Sequence, residues 1–158
     1  MFSEMINLIR NKSKLLSANK GINLMRVLTN MLAPKEYESQ NESGNKMLID
    51  MYESKNKDCF SPMEALLGAL ASCASVDLVE MIKKRRKELT DLKIETIGER
   101  KEDHPRAFTK IEQVFTFFSP DLEEEEAQKL VELAAGKYCS VAGTLNIEAT
   151  HRVVIKRG

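Results

Sequence analysis

The order of strand-like and helix-like stretches in this sequence predicts an α+β fold. Short β-rich runs come first, a long helix follows, and two further β-rich runs, a helix and a final strand complete the chain. Strands and helices grouped in this way are typical of α+β proteins, whereas parallel α/β folds alternate regularly. A length of 158 residues fits one domain with an appendage. We expect residues 1–21 to form a helical appendage and residues 22–158 to form the domain.

The residues before the long helix contain one ambiguous stretch and one predicted hairpin. Apolar residues recur among basic ones at 4–17, which indicates an amphipathic helix. Residues 22–32 fit a helical period of 3.6 as well as a strand, so the pattern alone leaves both structures open. Residues 35–40 and 46–51 flank a turn-forming cluster, Asn-Glu-Ser-Gly-Asn, and are predicted to form a β-hairpin.

The long helix begins at a well-defined start signal. Ser61 can accept a hydrogen bond from an unpaired amide as the N-cap, and Pro62 suits the first helical position. From residue 64 to about residue 87 nothing breaks the helical pattern. Cys73 lies among small and apolar residues of this helix, and we therefore expect it to be deeply buried.

Charge and hydropathy argue against nucleic-acid and membrane partners. The 24 basic and 24 acidic side chains cancel, so no net field attracts nucleic acid or an acidic membrane. The basic run at 83–87 is interpreted as the solvated end of the long helix. The longest apolar run, 65–76, is shorter than the ~18 residues of a spanning helix, and the N-terminus lacks a secretory pattern. We expect a cytoplasmic protein with no nucleic-acid or membrane partner.

The second half of the chain contributes two strands, a helix and a last strand. Residues 92–100 and 109–118 are rich in β-formers and are predicted to pair antiparallel. A second helix start at Ser119-Pro120 predicts a helix that runs to a stop at Gly136. Apolar residues alternate at 147–156, which indicates a strand.

The three cysteines are the candidates for chemistry. Cys59, Cys73 and Cys139 are too few and too scattered for a disulfide scaffold, and their spacing from the histidines gives no metal-ligand motif. We therefore expect neither a metal nor a cofactor. Cys139 precedes a predicted short helix at 140–142 whose N–H groups would favour a thiolate. Sequence spacing does not decide whether Cys73 and Cys139 form a reactive pair or are inert core residues.

Four motifs between about residues 35 and 155 carry a family resemblance. They are Ser-Pro-Met-Glu-Ala-Leu-Leu-Gly-Ala-Leu-Ala-Ser-Cys at 61–73, Ile-Gly-Glu-Arg at 97–100, His-Pro-Arg-Ala-Phe-Thr-Lys-Ile at 104–111 and Lys-Tyr-Cys-Ser-Val at 137–141. Together they resemble the OsmC/Ohr family, within it the OsmC-like (YhfA-type) redox protein branch. The resemblance implies an OsmC-like fold, in which an antiparallel β-sheet wraps long central helices in an intertwined homodimer. It also implies that residues 22–32 contain the first strand.

The resemblance further implies a reaction and a role for two residues. In the family's hydroperoxide reductases, the cysteine that matches Cys73 attacks the peroxide, and the cysteine that matches Cys139 resolves the product as a disulfide. Reduced dithiols then open that disulfide. We therefore expect a thiol-dependent redox protein that reduces organic hydroperoxides, or acts on another small apolar substrate, with a dithiol reductant.

Two departures from the enzymes' pattern support an alternative function. Met63 directly follows the helix-opening proline, where the enzymes have a catalytic glutamate, and Glu64 lies about 100° further round the helix. The region of the first hairpin tip, residues 30–34, lacks the enzymes' arginine, so Arg26 or Arg106 would have to supply the charge. Without a neighbouring cation, the thiol in the apolar helix should have a raised pKa. The alternative is an OsmC-fold small-molecule binding protein with little or no peroxidase activity.

Overall fold

The computed structural model describes residues 24–157, which fall into two compact units. The first unit ends at Ser61 and contains three strands and a short 3₁₀ helix (Ser54–Asn56), and the second begins at Pro62 and contains the long helix and the remaining elements. The helix predicted at 4–17 and the predicted domain boundary between residues 21 and 22 lie outside the described residues. Both therefore stay predictions.

The first unit is a three-stranded antiparallel sheet with strand order β1-β2-β3. Its strands are β1 (Val27–Ala33), β2 (Glu36–Asn41) and β3 (Lys46–Asp50). The predicted hairpin is confirmed as β2 and β3, and Gly44 in its turn has a φ of 86°, where a residue without Cβ avoids a clash. The ambiguous stretch contains β1, so the strand alternative is confirmed and the helix alternative is wrong. Pairing with β2 decides this, and periodicity within one segment cannot reveal such pairing.

The second unit contains a long helix and a three-stranded sheet. The helix is α1 (Pro62–Lys84), and the strands are β4 (Asp91–Arg100), β5 (Phe108–Phe118) and β6 (Ala149–Lys156). The central strand, β5, pairs antiparallel with β4, as predicted, and parallel with β6. The parallel pair differs from the antiparallel sheet that the family resemblance implied. Parallel neighbours need a crossover of a dozen or more residues, and the chain between β5 and β6 supplies one.

That crossover is helical and consists of three segments. It contains α2 (Glu124–Val131), a π-helical segment (Glu132–Tyr138) and α3 (Ser140–Thr144). The predicted helix stop at Gly136 is wrong, because the π-helical segment carries the chain through that glycine. π-Helical segments are rare, so a glycine after a helical pattern ordinarily predicts the end of the helix. The short helix predicted after Cys139 is confirmed as α3.

The predicted start of the second helix at Ser119 is also wrong. The hydroxyl of Ser119 is buried, accepts a hydrogen bond from the Leu122 N–H at 3.0 Å, and donates to the Glu88 carbonyl at 2.5 Å. Ser119 therefore closes a turn that precedes the helix. The helix itself begins at Glu124, with Glu123 as an N-cap whose side chain makes no capping bond.

The end of α1 is a Schellman turn with arginine at the position that glycine usually occupies. Arg86 has a φ of 60°, and its N–H donates to the Lys83 carbonyl at 2.9 Å. The Lys87 N–H donates to the Ile82 carbonyl at 3.3 Å, which completes the motif. The helix thus ends at Lys84, slightly earlier than predicted.

One stripe of α1 forms part of the core of the second unit. Its buried residues recur every four positions and are Leu70, Ala74, Leu78 and Ile82. The last three belong to the same cluster as Phe115 and Phe117 of β5. The face that carries Val76 is open, with Val76 itself 67% exposed. By length and composition α1 could cross a membrane, but core helices of soluble proteins meet the same criterion, so this is weak evidence for a span.

Candidate active site

Cys73 lies in the middle of α1, one turn after Leu70. Its side chain is only partly buried, so the expectation of deep burial is wrong. The reason is that a single stripe of α1 is covered within the described residues, while the adjacent Ser72 and Val76 are exposed. Cys73 therefore packs at the boundary between the buried stripe and the open face of the helix.

Cys139 lies at the junction between the π-helical segment and α3. Its backbone is extended, with φ −68° and ψ 108°, and it serves as the N-cap of α3. The sulfur accepts a hydrogen bond from the Ala142 N–H at 3.4 Å, and the thiol donates to the Leu70 carbonyl at 3.9 Å. Only 4% of the residue is exposed, and it packs in a cluster with Leu70 and Ile111. Cys139 is therefore fixed by its helix and by α1 together.

The structure brings the two cysteines together. The Cys73 and Cys139 side chains lie close enough for each thiol to shift the pKa of the other, and both are free thiols. The backbone N–H groups of Val141 and Ser140, at the start of α3, also act on the Cys73 thiol and lower its pKa. The third cysteine, Cys59, lies in the first unit, where its backbone N–H donates to the Asp50 carboxylate at 2.7 Å.

These contacts give the two thiols opposite acidities. The Val141 N–H contributes most to a Cys73 pKa below the ordinary value, with further lowering by the Cys139 thiol and the Ser140 N–H, while burial and the Asp77 carboxylate oppose the shift. The expectation of a raised Cys73 pKa is therefore wrong. Hydrogen bonds donated to a sulfur stabilise its thiolate, and here they come from a helix start rather than from a cation.

Cys139 shows the reverse balance. Burial raises its pKa above the ordinary value, and the neighbouring Cys73 adds to the increase, whereas the Ala142 N–H only partly offsets it. The sequence had suggested that α3 would favour a thiolate on Cys139. The N–H groups of α3 are instead divided between the two sulfurs, and burial outweighs them at Cys139.

Neither Met63 nor Arg106 is among the groups that shift the Cys73 pKa. Met63 is half-buried at the position after Pro62. Arg106 is exposed in the turn between β4 and β5, where its carbonyl accepts a hydrogen bond from Arg100 at 2.7 Å. Among the described residues, the groups that shift the Cys73 pKa include no arginine or lysine. Between residues 24 and 157 there is also no cluster of His, Cys, Asp and Glu suited to a metal.

Sequence reasoning missed the backbone groups of Ser140 and Val141 as parts of the site. Their side chains do not contribute to the Cys73 pKa, because only their backbone N–H groups act on this thiol. The available signal was the short helix predicted directly after Cys139. Its position next to Cys73 depends on tertiary packing, which the local pattern does not contain.

Comparison with known proteins decides the family. A family model described as OsmC-like protein matches residues 54–153, which is more than half of the chain. The chain belongs to the OsmC-like family. Protein YhfA of Escherichia coli K12 is 34% identical over 119 residues, which cover 73% of this chain and 87% of YhfA. The predicted family membership is thereby confirmed.

Solved structures agree with this assignment of the fold. A hypothetical protein from Aquifex aeolicus VF5 is 26% identical, with a TM-score of 0.76 over 87% of this chain and 99% of that protein. An organic hydroperoxide resistance protein from Elizabethkingia anophelis is 15% identical, with a TM-score of 0.65 over 87% of this chain and 99% of that protein. At that identity the second likeness shows the fold alone. The predicted α+β, OsmC-like fold is confirmed.

Proposed function

We propose that this OsmC-like protein is a cytoplasmic, homodimeric thiol peroxidase that reduces organic hydroperoxides through Cys73 and Cys139. The observation that carries the proposal is the contact between two thiols of opposite acidity. Cys73 has a lowered pKa and is partly exposed, as a peroxide-attacking thiol needs to be. Cys139 has a raised pKa and is buried beside Cys73. It therefore stays a protonated thiol while Cys73 reacts with the peroxide.

The reaction begins with attack of the Cys73 thiolate on the terminal oxygen of the hydroperoxide. A sulfur–oxygen bond forms, the oxygen–oxygen bond breaks, and the alkoxide leaves and takes up a proton to become an alcohol. The Cys139 sulfur then attacks the sulfenic acid of Cys73, so that a disulfide forms and water leaves. An external dithiol reduces that disulfide by two exchange steps and is itself oxidised to a disulfide.

The residue after Pro62 bears on the rate of this reaction. Met63 offers no carboxylate at this position, and no cation contributes to the lowered Cys73 pKa within the described residues. Polarisation of the oxygen–oxygen bond would therefore rest on N–H groups, which are weaker than charged donors. We expect turnover to be slow, with an apolar substrate suited to the Leu70 and Cys139 surroundings.

Thiol titration after treatment with cumene hydroperoxide tests the proposal. The wild type should lose two of its three thiols for each peroxide consumed, and peptide mapping should place the disulfide between Cys73 and Cys139. Cys73→Ser should lose no thiol. Cys139→Ser should consume one equivalent of peroxide and retain a sulfenic acid that dimedone traps. Cys59→Ser is the matched control and should behave like the wild type.

An unchanged thiol count in excess peroxide would contradict the peroxidase proposal. It would instead favour the OsmC-fold binding protein, for which Met63 in place of a carboxylate is the supporting observation. In that case the apolar ligand should bind wild type and Cys73→Ser equally well, because the thiol would only border the ligand.

The homodimer is supported by the open face of α1 and by β1. Both present large apolar side chains to solvent, including Val76 at 67% and Met31 at 69% exposure. Large apolar side chains that are exposed together on one element are typical of an interaction site rather than of a free monomer. A second copy of the chain is the partner that the family resemblance implies.

A further inference from the structure

The two sulfurs of the proposed disulfide differ in how far a molecule from solvent can reach them. Cys139 is 4% exposed and packs in a cluster with Leu70 and Ile111. Its sulfur accepts a hydrogen bond from the Ala142 N–H at 3.4 Å, and its thiol donates to the Leu70 carbonyl at 3.9 Å. Its backbone is held as the N-cap of α3. A solvent molecule would therefore have to displace packed residues to touch the Cys139 sulfur.

Cys73 lies where solvent reaches α1. The residue is partly exposed, and on one side of it the helix buries Leu70 and Ala74. Its neighbours on the other side are exposed within the described residues, and they are Ala69, Ser72, Val76 and Asp77. The peroxide of the proposed reaction needs access to the same thiol, so any partner copy must leave Cys73 within reach. A reductant can therefore approach Cys73 over this side of the helix.

Access and leaving-group acidity favour different sulfurs as the point of attack on the disulfide. Acidity alone favours attack on Cys139, because Cys73 has a lowered pKa and would leave as the more stable thiolate. That attack, however, requires the reductant to enter the packed cluster around a residue that is 4% exposed. A sulfur that the reductant cannot touch does not react, however good its partner is as a leaving group. Access therefore decides the point of attack.

We propose that the reductant attacks the disulfide at the Cys73 sulfur, from the open face of α1, and expels Cys139. This inference rests on the proposed function, because it concerns the reductive half of that reaction. A reductant thiolate forms a bond to the Cys73 sulfur, the Cys73–Cys139 bond breaks, and Cys139 leaves with the electron pair and takes up a proton from water. The second thiolate of the reductant then attacks the first reductant sulfur. Cys73 leaves as a thiolate, and the reductant becomes a disulfide.

This order of events gives a physical reason for a dithiol reductant. Cys139 leaves slowly because burial disfavours its thiolate, whereas Cys73 leaves easily in the second step. After the first step Cys139 still lies beside the mixed disulfide and can expel the reductant again. A monothiol must then wait for a second molecule, whereas a dithiol completes the reaction within one molecule.

The open face of α1 also sets a charge preference for the reductant. Asp77 lies one turn after Cys73, is exposed, and its carboxylate acts on the Cys73 thiol. No lysine or arginine in the part of the chain that the structure describes contributes to the Cys73 pKa. A reductant that arrives over this face therefore meets a negative charge. We expect a neutral or cationic dithiol to react faster than an anionic one.

Peptide mapping of the first mixed disulfide tests the point of attack. Diamide oxidises the full-length Cys59→Ser protein to the Cys73–Cys139 disulfide without any peroxide, so a failure of the peroxidase proposal would not affect the result. Brief reaction with mercaptoethanol and an acid quench should give at least about tenfold more adduct on Cys73 than on Cys139. Adduct mainly or equally on Cys139 would overturn the proposal. Failure of diamide to join the two cysteines would also overturn it.

Asp77→Asn tests the route of approach independently of the trapped adduct. Mercaptoacetate carries one more negative charge than mercaptoethanol, and the two reduction rates are compared at low salt and equal thiolate concentration. The rate with mercaptoethanol relative to that with mercaptoacetate should fall about twofold in Asp77→Asn. A change in Cys73 acidity would alter both rates alike, so it cancels in this ratio.

Glu95→Gln is the matched control for Asp77→Asn. It removes the same charge from an exposed position of β4 and should leave the ratio of the two rates as in the wild type. An unchanged ratio in Asp77→Asn, or an equal fall in Glu95→Gln, would overturn approach over the open face of α1.

Discussion

Gly98→Ala should destabilise the protein, although alanine is usually the better residue in a strand. Gly98 lies in β4, and the ring of Phe108 packs directly against it across the sheet. A Cβ at residue 98 would lie 2.6 Å from Cδ1 of Phe108 and closer still to Cε1. The ring cannot move freely, because it packs against the cluster that contains Leu70, Ile111 and Cys139. The added methyl group therefore overpacks the sheet next to the candidate active site.

Two opposing effects set the magnitude of this change. Overpacking a well-filled region costs about 1–3 kcal/mol. Replacing glycine gains about 0.5–1 kcal/mol, because less backbone entropy is lost on folding. The difference spans about 0–2.5 kcal/mol, and because the added Cβ would clash with two ring atoms of Phe108 we expect a net loss in its upper half, above about 1 kcal/mol, in the free energy of unfolding. Urea denaturation at a fixed protein concentration measures it, since any oligomer makes stability depend on concentration.

The Phe108→Leu background provides the control for this prediction. If the ring causes the cost, Gly98→Ala should be nearly neutral or stabilising once the ring is absent, which a double-mutant cycle detects. A Gly98→Ala protein at least as stable as the wild type would refute the reasoning. An equal loss in both backgrounds would show that something other than Phe108 opposes the methyl group.

Three further predictions concern the thiol, the end of α1 and its open face. Asp77→Asn removes a carboxylate that raises the Cys73 pKa, so the midpoint of iodoacetamide alkylation against pH should move to lower pH; an unchanged midpoint would contradict this. Arg86→Gly should raise the free energy of unfolding by about 1 kcal/mol, because no Cβ remains in the left-handed conformation, and a loss in urea denaturation would argue against it. Val76→Glu should shift sedimentation equilibrium towards the monomer with unchanged circular dichroism, and a persistent dimer would exclude this face.

The sequence predicted those parts of the fold whose signals are local. Ser61 and Pro62 set the start of α1, and the turn cluster between β2 and β3 set the hairpin. The stretch that contains β1 was ambiguous because its apolar spacing suits two periods, and only its pairing with β2 decides. The start of α2 was predicted too early, at Ser119. A serine that accepts a hydrogen bond in an isolated turn has the same local sequence as one that caps a helix.

The candidate site was predictable in its side chains and not in its electrostatics. Cys73 and Cys139 were identified as candidates from family motifs, but the acidity of Cys73 depends on the N–H groups of Ser140 and Val141. Nearly every residue has a backbone N–H group, so the residue types at 140 and 141 do not reveal which N–H groups will act on a thiol.

The crossover between β5 and β6 places the groups that activate Cys73 far after it in the chain. It carries α3, whose N–H groups lower the Cys73 pKa. Until α3 has been made and has packed beside α1, Cys73 lacks these N–H groups and is an ordinary, weakly nucleophilic thiol. Cys139 directly precedes α3, so the proposed resolving thiol arrives together with the groups that make Cys73 reactive, and it can limit irreversible oxidation.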